Sequence, residues 1–322
     1  MKEGIHTIPF DEYKAAPGLN PSTLKPGAGN GTMAAVKYKM DNPPEQTDAM
    51  RVSSAIHCAF LEPAEFDRRY CVLPEGLEWG GKAKKRAAID ALSEIASAEN
   101  LVDYLHDPTD FRKDEILATW SRINNISPIS AKEMSLIRAA QKSLEAYLKE
   151  DEAFREIWTS PRRAIEQALF WEEEIHGVQT LCKTRPDFLI LPAQPVGGSA
   201  HIIDLKAYRS PISQHVCQQR FFSDAMHIQF GMAAMALEEL RGIEEIYAAV
   251  LWIDKGTPPH LCRCDWVDER SLEKGKNEAR ELIHRFNECK ASGKWPGHTK
   301  GGVITVPRYL EFDADDETEE SE

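Results

Sequence analysis

Two apolar segments near the middle of the chain each contain charged residues. The first, TRPDFLIL, holds Asp187 beside a proline, and the second, AHIIDLKAY, holds Asp204 and Lys206. Short apolar runs bounded by Gly, Pro and polar residues are typical of buried strands. A charge inside such a strand is costly unless it pairs with another charge or with a metal ion. The two segments therefore predict core strands whose charged residues meet at one place.

Side chains alternate along a strand, so Asp204 and Lys206 are predicted on one face, with Leu205 on the other. If the strand that carries Asp187 pairs with this one, its carboxylate comes close to Asp204. Two converging carboxylates can hold a hard cation such as Mg²⁺, and a nearby lysine can stabilise an oxyanion. Metal-assisted phosphodiester cleavage requires this arrangement. The alternative is a simple Asp204–Lys206 pair on an exposed strand, because a lone D-x-K occurs often by chance.

The predicted elements are helices first and then a mixed α/β core. The first forty residues are rich in Gly, Pro and Asn, which predicts loops with at most a short helix. Apolar periodicity predicts helices at 47–62, 83–98, 131–149, 224–241 and 268–292. Strands are predicted in AIEQALFWEEEI, VQTLCKTRPDFLIL (kinked near Pro186), AHIIDLKAY, EEIYAAVLWID and HLCRCDWV. No change in composition divides residues 1–310, which are predicted to form one domain.

The charge of the chain is unevenly distributed. The net charge of −13 argues at first against a nucleic-acid partner, but the tail 311–322 alone holds eight acidic residues and no basic one. We expect this tail to be disordered and solvated. A nucleic-acid site on the mildly acidic remainder must then be a local patch. Two groups of cations are candidates, although a solvated face has the same composition: Lys82, Lys84, Lys85 and Arg86, and Arg162 with Arg163.

Other chemistries find little support in the sequence. The seven cysteines are scattered and show no C-x-x-C spacing, which indicates reduced thiols rather than a zinc framework. The segment GAGNGT lacks the G-K-[ST] ending of a phosphate-binding loop, and no G-x-S-x-G occurs. No signal-peptide core or membrane-length apolar run is present, so a cytoplasmic protein without a membrane partner is predicted.

A series of motifs along residues 20–300 resembles one known family. The segments are NPSTLK, AIHCAFLEPAEFDRRY, IEQALFW, TRPDFLI, IIDLKAY, HIQFGMAAM and SGKWPGH. In this order they resemble the RecE-type (exodeoxyribonuclease VIII-like) phage exonucleases of the PD-(D/E)xK nuclease superfamily. The resemblance implies a restriction-endonuclease-like α/β core, with a mixed central sheet flanked by helices and a helical N-terminal region. The acidic tail lies outside it.

The resemblance also implies a metal site. His57, Asp187, Asp204 and the backbone carbonyl of Leu205 match the metal ligands of the family. A histidine between apolar neighbours, as in AIHCAFL, is otherwise more often a core residue, but its place in the A-x-H-x-x-x-L-E-P match favours a ligand. The implied cofactor is Mg²⁺, for which Mn²⁺ can substitute. The cysteines lack the grouping that holds an iron–sulfur cluster in some relatives, so none is predicted.

Three further residues receive roles from the resemblance. Lys206 matches the catalytic lysine, and Glu166 matches a glutamate that acts on a second metal or its water. Gln229 matches a glutamine that holds the active-site lysine or a phosphate. The family helix commonly carries tyrosines three residues before and four residues after this glutamine, where this chain has Met226 and Ala233. This departure concerns contacts with the DNA strand rather than the predicted metal ligands.

The function implied by the resemblance is a Mg²⁺-dependent, ATP-independent DNA exonuclease of phage or prophage origin. Such enzymes digest linear double-stranded DNA from the 5′ end and leave a 3′ single-stranded tail for a single-strand annealing recombinase. They form closed rings, so a homo-oligomer, most simply a tetramer, is implied. Two alternatives stay open. One is an endonuclease or single-strand nuclease of the same superfamily, and the other is a catalytically inactive DNA-binding module.

Overall fold

The computed structural model describes residues 2–43, 47–95, 107–194, 196–209 and 211–298. A five-stranded sheet forms its centre, with helices packed on both faces. The acidic tail, and the last residues of the helix predicted at 83–98, lie outside the described residues. In the ranges that are described, no helix is long and apolar enough to cross a membrane.

The first forty residues form more regular structure than their composition predicts. They contain strand β1 (Gly4–His6), helices α1 (Phe10–Ala15), α2 (Pro21–Leu24) and α3 (Met33–Asp41), and a 3-10 turn at Lys25–Gly27. The side chain of Asn20 accepts a hydrogen bond from the N–H of Thr23, and Thr32 caps α3 in the same way. The prediction of loops with at most a short helix was wrong, because Asn, Thr and Pro act here as helix-start residues rather than turn residues.

The helical region that follows contains the helices predicted at 47–62, 83–98 and 131–149, as far as they are described, and three shorter helices that were not predicted. It consists of α4 (Asp48–Leu61), α5 (Pro63–Arg69), α6 (Lys82–Ile95), α7 (Lys113–Asn124), α8 (Ala131–Glu150) and α9 (Glu152–Trp158), with strands β2 (Tyr70–Val72) and β3 (Ser127–Ile129) forming a small parallel pair. Helices α4, α8 and α9 bury their apolar faces against one side of the central sheet. Helices α6 and α7 instead pack around Trp120 in a small cluster of their own.

The two larger sheets share the strands of the predicted α/β core. The central sheet has the order β10 (Cys262–Val267), β9 (Glu245–Asp254), β8 (Ser199–Tyr208), β7 (Phe188–Ile190) and β4 (Arg163–Ile165). Only the β8–β9 pair of this sheet is parallel. A three-stranded antiparallel sheet has the order β1, β5 (Ala168–Ile175) and β6 (Val178–Thr184).

Two of the predicted strands each divide between these sheets. AIEQALFWEEEI leaves the central sheet after β4 and enters the second sheet at β5, and the break includes Glu166, whose φ of 48° is left-handed. VQTLCKTRPDFLIL forms β6 in the second sheet and β7 in the central one, with the break around Pro186. The sequence therefore predicted the kink at Pro186 but not the change of sheet. The two breaks meet, because the N–H of Glu166 donates to the carbonyl oxygen of Asp187 at 3.0 Å.

The other face of the central sheet is covered by α10 (Gln214–Ser223), α11 (Met226–Arg241) and α12 (Glu269–Ser292). Helix α11 is buried along most of its length because it lies between the sheet and α12. Its backbone approaches α12 closely at two glycines. A Cβ atom on Gly231 would overlap the Gly275–Lys276 peptide, and one on Gly275 would overlap the carbonyl of His227. This contact sets the distance between α11 and α12.

We expect Gly231→Ala to destabilise the protein by about 2 kcal/mol or more, since the overlap with backbone outweighs the gain of about 1 kcal/mol in helix propensity. Urea unfolding followed by circular dichroism measures the change. Gly80→Ala is the matched control, because a Cβ at Gly80 meets no atom within 4 Å. Equal stability of the Gly231 and Gly80 variants would show that the helices can separate without cost.

Candidate active site

The structure brings Asp187 and Asp204 together where β7 meets β8. The two strands are antiparallel, with Phe188 opposite Ile203, so Asp187 lies one residue beyond the paired segment and opposite Asp204. The backbone N–H of Leu205, freed from the ladder, donates to Asp187 Oδ2 at 2.8 Å. The start of β7 therefore leaves a small gap in the sheet, and the carboxylate of Asp187 fills it.

Asp204 lies on the face of β8 that α11 covers, and only 2% of its side chain is accessible. Gln229 Nε2 donates to Asp204 Oδ1 at 2.6 Å, and the Lys206 ammonium pairs with Oδ2. Lys25 Nζ in turn donates to Gln229 Oε1 at 3.0 Å. An ammonium group can only donate, so Lys25 holds the Gln229 amide with its oxygen outward and its NH₂ group towards Asp204.

Burial and neighbouring charges give the two carboxylates different proton affinities. Burial raises the pKa of Asp187 well above its ordinary value, and the negative charge of Asp204 adds to the rise. Burial acts in the same sense on Asp204, but the Lys206 ammonium holds the pKa of Asp204 below its ordinary value. Burial also opposes the charge on Lys206, yet Asp204 and Asp187 raise the pKa of that ammonium. Asp204 and Lys206 therefore stay charged as a pair, and Asp187 takes up a proton more readily.

His57 reaches the same place from α4 on the opposite face. Its Nδ1 lies 3.5 Å from Asp187 Oδ2, and the backbone of Leu205 is close enough to act on its pKa. Burial, helped by the positive charge of Lys206, lowers the pKa of His57 to about 4. The imidazole is therefore neutral near pH 7, which is the form that can bind a metal ion.

Glu166 comes near the site through its backbone more than through its carboxylate. Its N–H bonds to the carbonyl of Asp187, as described above, while Arg185 Nη2 pairs with Glu166 Oε2 at 2.8 Å and Arg185 Nε donates to the Glu166 carbonyl at 2.8 Å. The charge of Glu166 still contributes to the raised pKa of Asp187, after burial and Asp204. The predicted role on a second metal thus requires that this carboxylate release Arg185.

Two residues of this network had no role in the sequence-based prediction. Lys25 ends the segment NPSTLK, which carried part of the resemblance, but nothing in the sequence pairs it with Gln229. Burial, together with the nearby Lys206, lowers the pKa of Lys25 to about 8. Arg185 lies directly before the Pro-Asp pair of TRPDFLI, and its contact with Glu166 depends on the two strand breaks. The sequence marked Lys25 and Arg185 only by placing them in motifs that carry the resemblance.

The cations of residues 82–86 form the first turn of α6, where each has a partner. Lys82 pairs with Asp110 at 2.8 Å, Lys84 pairs with Glu78, and Arg86 lies 4.0 Å from Asp107. Lys85 donates to the carbonyls of Thr109 and Phe111 at 3.1 and 2.9 Å. The role of these residues in DNA binding stays a prediction, and it requires phosphates to compete with these partners.

Arg162 and Arg163 lie near the far end of the central sheet from Asp187. Strand β4 runs antiparallel to β7, with Arg163 opposite Ile190 and Ile165 opposite Phe188. The arginines are therefore about 10 Å along the sheet from the carboxylates, at 3.3 Å per residue. They do not join the network around Asp204, and both side chains are exposed.

The donors at the site fit a divalent cation by their chemistry. Two carboxylates, a neutral imidazole and a carbonyl are ligands that suit Mg²⁺ or Mn²⁺. Asp204 Oδ2 is buried and contacts the Lys206 ammonium. The Leu205 carbonyl lies on the same edge of β8 as its N–H, on the side of Asp187. Among the described residues no three His, Cys, Asp or Glu side chains form a ready metal group. Mg²⁺ is commonly bound by one or two carboxylates and keeps several waters, so the set is sufficient.

Comparison with known proteins supports the fold and a family. Residues 23–303 match the family model described as "PDDEXK-like domain of unknown function (DUF3799)". No curated protein matches the sequence significantly. The crystal structure of a candidate exonuclease from Eubacterium rectale superposes with a TM-score of 0.52, over 94% of this chain and 96% of its own, at 14% identity. The solved structure of SSO0001 matches over 59% of this chain and 78% of its own, at 17% identity and a TM-score of 0.25.

These matches agree with the architecture. The central mixed sheet, the helices on both faces and the charged residues at the β7–β8 junction form a restriction-endonuclease-like PD-(D/E)xK core. The fold class predicted from the sequence is confirmed. At 14% identity the superposition establishes a shared fold rather than a shared substrate.

Proposed function

Because the chain belongs to the PDDEXK-like family described above, we propose that it is a metal-dependent nuclease that hydrolyses phosphodiester bonds in DNA. One observation carries the proposal. Asp187, Asp204 and Lys206 meet at the start of β7, within a core where charged groups are costly. A cation and a phosphate are the natural partners for two carboxylates and an ammonium placed in this way.

The residues of the site have separable roles in this proposal. Asp187, Asp204, His57 and the Leu205 carbonyl would hold Mg²⁺, which when bound supplies a more acidic water and neutralises phosphate charge. Lys206 donates to a phosphate oxygen as negative charge develops on it. Gln229 keeps Asp204 in place through the 2.6 Å hydrogen bond.

The finer proposal follows the resemblance to RecE-type exonucleases of phage or prophage. The enzyme would act in the cytoplasm of a bacterial host, without ATP, on the ends of linear double-stranded DNA. It would remove one strand from the 5′ end and leave a 3′ tail for a single-strand annealing recombinase. The family match and the candidate exonuclease of the same fold support a nuclease, and the direction of digestion rests on the resemblance alone.

Asp204→Asn and Lys206→Gln should each reduce the rate of DNA cleavage by about 10²-fold or more. Asp204→Asn removes a carboxylate from the proposed metal site, and Lys206→Gln removes the ammonium that stabilises developing charge. The rate of product release from linear duplex DNA, measured at saturating Mg²⁺, tests both variants. Asp90→Asn and Lys132→Ala, which change exposed side chains on α6 and α8, are matched controls. A rate above a tenth of the wild type in either site variant, with the fold intact by circular dichroism, contradicts the proposal.

Cleavage should require Mg²⁺ or Mn²⁺ and should stop in EDTA. Ca²⁺ should bind without supporting cleavage, because its looser geometry and higher coordination number do not align the attacking water. The measurement uses duplex DNA labelled at the 5′ or the 3′ end, beside a closed circle of the same sequence. Early release of the 5′ label with an intact circle supports the exonuclease.

Cutting of the closed circle would identify an endonuclease instead. Digestion restricted to unpaired DNA would identify a single-strand nuclease. Cleavage that persists in EDTA, or that proceeds with Ca²⁺ alone, would contradict the metal assignment itself.

The resemblance also leads us to propose a closed ring of identical subunits, most simply a tetramer. A ring retains DNA by enclosing it, which suits a chain whose body is mildly acidic and binds phosphates weakly from one side. Analytical ultracentrifugation at micromolar concentration should give the mass of a tetramer. A monomer that still degrades long duplexes without dissociating would contradict the ring.

A further inference from the structure

We propose that the end of the central sheet farthest from Lys206 binds single-stranded DNA by stacking unpaired bases on aromatic rings. This surface, the aromatic platform, consists of His201, Tyr247, Trp266, Arg162 and Arg163. The identity of the ligand rests on the proposed nuclease function, because a nuclease that removes one strand leaves the other unpaired.

Three neighbouring strands present the rings on one face. His201 on β8 lies directly opposite Tyr247 on β9, and their rings are stacked with centroids 5.1 Å apart. Trp266 on β10 meets His201 edge to face, with centroids 6.3 Å apart. Tyr247 is 49% exposed and Trp266 is 46% exposed. Large rings that are held by neighbours and still exposed are suitable surfaces for nucleobases.

The two arginines supply positive charge at the same level of the sheet. Arg163 lies opposite Ile190 on β7, which lies opposite His201 on β8. Arg162 is close enough to contribute, after burial, to the lowered pKa of His201. The guanidinium of Arg163 donates to the Trp158 carbonyl, at 3.5 Å. Over the ranges that the structure describes, neither guanidinium pairs with a carboxylate, which distinguishes them from Lys82, Lys84 and Arg86.

Two acidic residues limit the platform on its outer side. Strand alternation places Glu245 on the same face as Tyr247, and Asp268 follows Trp266 by two residues. Their charge repels phosphates at that border, so a bound strand would cross the rings towards Arg162 and Arg163. The charge pattern therefore sets the direction in which a bound strand crosses the rings.

The chemistry of the platform favours unpaired over paired DNA. Stacking requires the flat face of a base, which a duplex hides, whereas phosphates of either form reach arginines equally well. The platform is also distinct from the active site. His201 lies five residues before Lys206 on β8, about 17 Å along the strand, and it faces the opposite side of the sheet from Asp204. A base stacked here is therefore held away from the active site.

Binding without cleavage tests the proposal. The full-length protein in EDTA is titrated into a fluorescent oligothymidine, and anisotropy gives the affinity. Tyr247→Ala and Trp266→Ala should each weaken binding about tenfold, whereas Tyr247→Phe should retain it because the ring remains. The double variant Arg162→Gln with Arg163→Gln should reduce the salt slope of the logarithmic affinity by about 1.4. Tyr38→Ala and the double variant Lys14→Gln with Lys132→Gln change exposed groups elsewhere and should have no effect.

Three results would overturn the proposal. Unchanged affinity in all platform variants would show that DNA binds elsewhere. An equal loss of affinity for a blunt duplex and for the oligothymidine in Tyr247→Ala and Trp266→Ala would exclude stacking. If Trp266→Ala changes the sedimentation of the free protein and leaves oligothymidine binding intact, the face joins copies of the chain instead. Failure of the nuclease proposal has a different signature, namely absence of cleavage with Mg²⁺ while platform-dependent binding persists.

Discussion

The buried carboxylate of Asp204 is the constraint on which the centre of this molecule depends. A carboxylate with 2% of its side chain accessible needs compensation from every direction. Lys206 supplies charge from the same strand, and Gln229 supplies a hydrogen bond from α11. Gln229 can reach Asp204 only because α11 is packed tightly between the sheet and α12. Gly231 and Gly275, which allow this close packing, therefore also support the burial of Asp204, although they lie outside the site.

The second feature that shapes the site is the division of two strands between two sheets. Each break frees a backbone segment from the ladders at the same place. The first break brings Glu166 beside Asp187, and the second turns the Asp187 side chain onto the N–H of Leu205. The hydrogen bond of Glu166 continues the β4–β7 register, whereas the N–H of Leu205 has a side-chain carboxylate in place of a ladder partner. The irregular backbone at this point therefore places a carboxylate, instead of a main-chain group, against the N–H of Leu205 at the centre of a well-packed protein.

The sequence predicted much of this arrangement because some signals are local. Alternation in IIDLKAY placed Asp204 and Lys206 on one face, and the periodicity of the longer helices fixed their positions within a few residues. The change of sheet at Glu166 and the pairing of Lys25 with Gln229 were not predictable in this way, because both depend on contacts between distant segments. The early helices were missed for another reason. The residues that start a helix and those that make a turn are largely the same, and only packing distinguishes the two outcomes.

The hydrogen bond between Lys25 and Gln229 joins residues 204 positions apart. At bacterial and eukaryotic rates of translation, about 5–20 residues per second, Gln229 is synthesised about 10–40 seconds after Lys25. During that interval Asp187, Asp204 and Lys206 are also synthesised, before α11 is complete and before α12 exists to hold it. The polar network is consequently a property of the finished chain, and a nascent or truncated polypeptide carries its ingredients without their arrangement. For a protein proposed to cut DNA, the proposed active site therefore cannot assemble before synthesis of α11 and α12 is complete.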